Sequence, residues 1–186
     1  MADKLNAELA VSREGVPSQG HYSLSPLTFN DVVEGTKVLL PSLNGATCSR
    51  CAEHSSHIIV GALVNAKAAA KAAVSLIEGS ELSVTVIACG EREKGARSDL
   101  RMAIEDYLGA GAVLSNLPHS KSPEAQVCES AFADNKSRVD ELLWDSISGR
   151  ELREMGFEGD VSFASRLDSI ETVPVLKEGA FERLGV

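Results

Sequence analysis

Three times in succession this chain runs through an apolar stretch, a short polar turn and what reads as the start of a helix. The first unit is Val38-Leu39-Leu40-Pro41-Ser42-Leu43-Asn44-Gly45-Ala46-Thr47. The second is Ile58-Ile59-Val60-Gly61-Ala62-Leu63-Val64-Asn65-Ala66, with Asn65 opening an alanine-rich helix. The third is Ser83-Val84-Thr85-Val86-Ile87-Ala88-Cys89-Gly90-Glu91-Arg92, with a charged pair at the strand end. Consecutive strand-turn-helix units predict a mostly parallel sheet with helices on its faces, an α/β fold. In such sheets ligands gather outside the carboxyl ends of the strands. Asn44, Gly45, Thr47, Asn65, Glu91 and Arg92 are therefore expected at one edge.

Those turns suit an anion. A helix start carries partial positive charge and outward N–H groups, glycine allows close approach to the backbone, and Asn and Thr add short hydrogen-bonding groups. The bulk chain is acidic, with a formal charge of −9 over 186 residues, so an anion must be met by local donors or a metal. The same charge argues against nucleic acid, and no Lys/Arg run contradicts it. A hydrophobic content of 44% supports a real core, and the length fits one domain over residues 1–186. No window reads as a signal peptide or a membrane span, so the expected location is cytoplasmic. Cys48-Ser49-Arg50-Cys51 is a single CxxC without the second pair a structural zinc site needs, and both thiols are expected reduced and facing the core.

The remaining punctuation divides the chain further. Residues 2–10 read as a short helix and residues 12–35 as an irregular segment containing Arg13-Glu14. Residues 98–117 read as one long helix. Ser122-Pro123-Glu124 is a helix start with cap, first-turn proline and acid, and further helices are expected over 123–133, 138–147, 149–155 and 159–167. Val173-Pro174-Val175-Leu176 reads as a last strand whose proline puts it at an edge.

Two acidic features carry chemistry. Glu105-Asp106 lies on the long helix, and either Arg101 and Glu105 form a solvated pair one turn apart or a carboxylate faces the strand ends and holds Mg²⁺. Glu91-Arg92 is either a surface pair or a strand-end acid with an anion-gripping guanidinium. The chain has no GxxxxGK[ST], no GxGxxG after a strand and no GxSxG elbow.

Several of these segments, taken in order, resemble the 2-phosphosulfolactate phosphatase family. They are Leu39-Pro41-Ser42-Asn44-Gly45-Ala46-Thr47, Gly61 to Ala66, Ala88 to Arg92, Ala103 to Leu114, Ser148 to Leu152, Gly156-Phe157, Asp160-Val161 and Val173 to Leu176. The resemblance implies a three-layer α/β/α sandwich and Mg²⁺-dependent hydrolysis of a small anionic phosphoester to a hydroxy acid and phosphate. In some archaea that step serves coenzyme M biosynthesis. Under this reading Asn44, Gly45, Thr47 and Asn65 cradle the anion. Arg13 and Arg92 pair with phosphate or sulfonate, Glu91 serves as base, and Glu105 and Asp106 hold the metal. Family members usually begin with a strand bearing an Asp-Val-Leu-Arg-type motif, and this chain starts after it. The expected consequences are open sheet edges, pairing into a homodimer, and weak activity. The rival expectation is a non-catalytic anion- or partner-binding remnant.

Overall fold

The structure, a computed structural model, describes residues 2–93 and 99–185. Lys94, Arg97 and Ser98, which the charged loop and the start of the long helix were expected to include, lie outside the described residues.

Chain order explains the architecture. The expected helix over 2–10 is cut short: α1 spans Ala2–Leu5, Asn6 takes a left-handed φ of 48°, and the chain enters β1 (Glu8–Leu9). β1 pairs in parallel with β2 (Val38–Leu39), and β2 leads into α2 (Leu43–Cys51) as the first repeat predicts. In the second repeat, a 3-10 turn at Leu63–Asn65 opens α3 (Ala66–Ile77). Its alanines make one smooth face: Ala66, Ala69, Ala70 and Ala73 are buried, while Lys67 and Lys71 face solvent. Asp168 reaches back to accept from the Lys67 N–H at 2.7 Å, satisfying one of the open donors of the first turn.

The third repeat departs from expectation. The run Ser83–Cys89 forms neither helix nor paired strand, and it is not followed directly by a helix. Glu91–Arg92 forms β3, which pairs antiparallel with β4 (Leu100–Arg101), and α4 begins only at Ile104 and ends at Ser115. The long helix expected from residue 98 is thus replaced at its start by a strand, because Leu100 and Arg101 meet a partner strand in Arg92 and Glu91.

The helical second half matches its punctuation closely. α5 (Pro123–Asn135) starts on Ser122, whose Oγ accepts from the Ala125 N–H at 3.3 Å. α6 (Val139–Asp145), α7 (Ile147–Glu154) and α8 (Glu158–Ala164) follow. The break between α6 and α7 falls at Ser146, which caps α7, and not at Ser148-Gly149, which lies inside it. Gly156, at φ +83°, ends α7. α4 and α5 pack backbone to backbone through small residues. A Cβ placed on Gly111 would lie 2.5 Å from the Cys128 carbonyl oxygen and 2.6 Å from the Phe132 Cβ. Around this contact Leu108, Val113, Phe132, Val139, Leu143 and Val161 form the core with the α3 alanines.

The final strand is not an edge. β5 (Pro174–Lys177) pairs antiparallel with β6 (Ala180–Arg183) through a turn at Glu178-Gly179, both at positive φ. On its other side β5 meets the second repeat: the Val60 N–H donates to the Pro174 carbonyl and the Leu176 N–H to the Ile58 carbonyl, each at 2.9 Å. Proline is tolerated because it is the first residue of the strand and contributes its carbonyl there.

Paired strands among the described residues therefore form one parallel and two antiparallel two-stranded units. The molecule mixes helix and strand, as an α/β chain should, but these residues do not close the continuous parallel sheet that the repeats predict. Residues 83–89 pair with no strand among the described residues. Among the described residues no helix is long and apolar enough to cross a membrane.

Candidate functional site

Gly90 fixes the geometry of the acidic turn. Its φ of +71° is open to glycine and strained for other residues, and a Cβ there would sit 2.8 Å from the Arg101 carbonyl oxygen. The turn aims the Gly90 N–H at Asp106 Oδ2, 2.8 Å away in the first turn of α4. Asp106 is thereby held beside Glu105, its neighbour on the helix, and close enough to Glu91 to feel its charge. Burial pushes the Asp106 carboxyl above its usual range, and the negative charge of Glu105 pushes it the same way. The Gly90 N–H opposes them, and Glu91 adds a further upward push. Glu105 Oε2 is buried without a hydrogen-bond partner. Glu105 and Asp106 thus sit side by side at this strand end, with the charge of Glu91 near enough to act on Asp106.

α2 closes the other side. Asn44 Oδ1 accepts from the Arg92 N–H at 3.2 Å, which ties the first repeat to the third. One turn later, Cys48 shares a side-chain hydrogen bond with Cys89. Burial, this hydrogen bond and the nearby charges push the Cys89 thiol up to about 12. The sequence alone did not pair these thiols. Cys51, expected to face the core, is exposed instead, because α2 presents only one side to the turn.

Asn44, Glu91, Arg92, Glu105 and Asp106 are therefore brought together. Other expected site residues are committed elsewhere. Asn65 Oδ1 accepts from the Ala62 N–H at 2.8 Å, while its Nδ2 donates to the Val60 carbonyl at 3.2 Å and the Thr172 carbonyl at 3.0 Å. That amide fastens the second repeat to the segment just before β5. Thr47 donates its hydroxyl to the Leu43 carbonyl one turn back, leaving it only acceptor capacity. Gly45 lies in α2, where its carbonyl accepts from Ser49 Oγ.

Arg13 belongs to a second polar cluster. Its Nε donates to Asp160 Oδ2 at 2.8 Å, its Nη2 to the Leu24 carbonyl at 3.2 Å, and its guanidinium lies over the Phe157 ring. Asp160, only 4% exposed, also accepts from Ser25 Oγ. Sequence reasoning named neither Ser25 nor Asp160 as a functional residue. The available signal was an acid next to Gly159 at a helix start, which reads as an ordinary first-turn carboxylate. Arg101, expected as a partner for Glu105, instead donates to Ser148 Oγ at 3.1 Å and Glu151 Oε2 at 3.4 Å, because it lies on β4 and not on the helix.

The order of segments agrees with one known family. The sequence pattern of 2-phosphosulpholactate phosphatase matches residues 2–179. The chain belongs to that family. It is 30% identical to a protein of Carboxydothermus hydrogenoformans named "Probable 2-phosphosulfolactate phosphatase", over 83% of this chain and 62% of the relative. It is 31% identical to the 2-phosphosulfolactate phosphatase of Methanocaldococcus jannaschii, over 77% of this chain and 57% of that protein. The corresponding protein of Methanothermobacter thermautotrophicus is 29% identical over 94% of this chain. The chain spans about six-tenths of the length of the first two relatives. The family's matched region includes both polar clusters, the Asp106 turn and the Arg13–Asp160 pair.

The donor set at the turn suits a hard cation: carboxylate oxygens, one of them, Glu105 Oε2, buried without a hydrogen-bond partner. Among the described residues no three His, Cys, Asp or Glu side chains converge into a ready-made metal cage.

Proposed function

We propose that this chain provides the site of a Mg²⁺-dependent phosphatase for 2-phosphosulfolactate or a similar small anionic phosphoester, on a three-layer α/β/α framework. The observation that carries the reading is the convergence of Glu91, Glu105 and Asp106 with the Asn44–Arg92 contact at a strand end, in a chain of this family. Glu105 and Asp106 would hold the ion, which when bound neutralises phosphate oxygens and activates water. Arg92, at the rim, has the chemistry to pair with phosphate or sulfonate. Glu91, beside Asp106, is placed to take a proton from an attacking water.

Asn65 and Arg13 contribute differently under this reading. Asn65 shapes the turn between the second strand and α3 and does not offer its amide to the substrate. Arg13 holds Asp160 and thereby anchors the N-terminal segment to α8. Arg13→Lys should therefore lower stability more than it changes KM.

The test is phosphate release from 2-phosphosulfolactate with Mg²⁺ and with a chelator, for the natural chain and for Glu105→Gln and Asp106→Asn. Release that needs Mg²⁺ and falls at least about a hundredfold in both variants supports the assignment, the scale expected when a positioned acid, base or metal ligand is lost. Phosphate binding without release would support an anion-binding role instead. Release unchanged in both variants would move the metal site away from α4.

A further inference from the structure

α2 has little to hold it. None of its nine residues is buried, and Leu43 at its start stands 75% exposed. A helix without a buried face opens locally at little cost. Two contacts fasten it to the third repeat. Asn44 Oδ1 accepts from the Arg92 N–H, and one turn later the Cys48 and Cys89 thiols share a hydrogen bond. The first contact is made without sulfur. The thiols therefore face each other because the segments that carry them are already docked. Both are partly exposed, within reach of a small oxidant, and both are free thiols.

The other cysteines are worse placed to bond with Cys48. Cys51, the last residue of α2, is exposed. Residues three apart on a helix hold their Cβ atoms roughly 5–6 Å apart. A disulfide needs about 3.5–4.5 Å. A bond from Cys48 to Cys51 would have to unwind the last turn of α2. Cys128 is buried on α5, with its thiol donating to the Tyr107 carbonyl at 3.4 Å.

We infer that Cys48 and Cys89 are a site of reversible oxidation, at which a peroxide joins them in a disulfide bond that fastens α2 to the Gly90 turn. One sulfur attacks the peroxide as thiolate: an S–O bond forms, the O–O bond breaks, and the departing hydroxide takes the thiol proton and leaves as water. The second sulfur then attacks the sulfenic acid so formed. The S–S bond forms, the S–O bond breaks, and the oxygen leaves as a second water with the second thiol proton. The two thiols lose two electrons and two protons, and the peroxide gains both. The bond encloses the second repeat and α3 in one loop. It also sets a covalent tie one residue before Gly90, whose N–H holds Asp106. The step needs neither the metal nor the phosphoester of the proposed reaction.

The experiment uses the whole chain, freed of reductant and kept in chelator so that trace metals catalyse no oxidation. A small excess of hydrogen peroxide is added, remaining thiols are alkylated in denaturant, and the peptides are mapped by mass. The chain should become lighter by two hydrogens, keep two of its four thiols open to alkylation, and yield joined Cys48 and Cys89 peptides. Dithiothreitol should reverse all three changes. Cys51→Ser should keep the joined peptides, whereas Cys48→Ser and Cys89→Ser should each lose them. Amide exchange within α2 should slow by about tenfold or more in the oxidised natural chain and stay fast in peroxide-treated Cys89→Ser. The slow amides of α4 and α5 report that each variant is folded. Four open thiols after treatment, a bond between Cys48 and Cys51, or dimers cross-linked through Cys51 as the main product would overturn the inference. So would joined peptides with unchanged exchange in α2, because the bond would then fasten nothing.

Discussion

The α4–α5 contact and the run at residues 83–89 lie on either side of the same acidic turn, and they are built on opposite terms. At α4–α5 the backbone groups are satisfied inside each helix, so the only task left is to fit surfaces together. Gly111 against Cys128 and Phe132 does this with no room to spare. In the run at 83–89 exposure alternates over Val84 to Ile87 in the way a strand would give, yet the backbone bonds to no other described residue, and Ile87 stands 57% exposed. A helix brings its hydrogen bonds with it, whereas a strand needs a neighbour to supply half of them. That difference explains why one region is closed and the other open within one chain.

The sharpest way to break the comparison is at Gly111. Gly111→Ala forces a methyl group against the backbone of α5, and should cost about 3 kcal/mol or more in urea unfolding. A loss under about 1 kcal/mol would mean that the two helices are free to slide, and that the closed region is not closed.

Asn65 lies where the closed and open regions join. Asn65→Ala leaves the Ala62 N–H and the Val60 and Thr172 carbonyls without their partner, so a loss of about 2–3 kcal/mol is expected by the same measurement. If phosphate release persisted at low denaturant with KM unchanged, its role as a structural tie would be sharpened. A KM raised at full stability would return it to the substrate.

Asp106 is the pH-sensitive member of the open side. Its carboxyl is raised in the folded chain above the ordinary value of 3.8, so the folded state holds the proton more tightly than the unfolded one. Its favourable contribution is complete below that ordinary value and is lost as pH rises through the folded value. At neutral pH the buried charge therefore works against folding. Asp106→Asn keeps an oxygen for the Gly90 N–H and removes the charge. In chelator the variant should be more stable than the natural chain at pH 7, with the gap closing as pH falls towards 4. Parallel stability curves across that range would show that Asp106 is not under the strain its neighbours imply.

The smallest effect belongs to the open run itself. Ile87→Ser, at an exposed position, should change stability by no more than about 0.5 kcal/mol. A loss several times larger would show that the run is covered in solution.

Legibility followed the same division. The helices of the second half were largely legible, because Ser122-Pro123 and Gly156 are local signals, although the break between α6 and α7 falls at Ser146 and not at Ser148-Gly149. In the first half the strand-turn-helix repeats were visible, and so were Asn44, Glu91, Arg92, Glu105 and Asp106 as residues of one strand end. The hairpin of β3 and β4 was missed, because Leu100 and Arg101 carry no mark of a strand until Glu91 and Arg92 lie beside them. β6 was missed as well, although Glu178-Gly179 is the kind of turn that predicts a hairpin. Asp160 gave no sign that its partner stood 147 residues away in sequence.

By itself, then, the sequence determined most of the second-half helices, the Ser122 cap and the family, since each depends on neighbours along the chain or on the order of segments. Tertiary structure decided which polar groups meet. It gave Asn65 to the backbone, Arg13 to Asp160, Cys48 to Cys89 and Asp106 to Gly90, and it left residues 83–89 without a strand partner among the described residues. Those outcomes depend on which segments pack side by side, and no local pattern of residues encodes the partner on the other side of a contact.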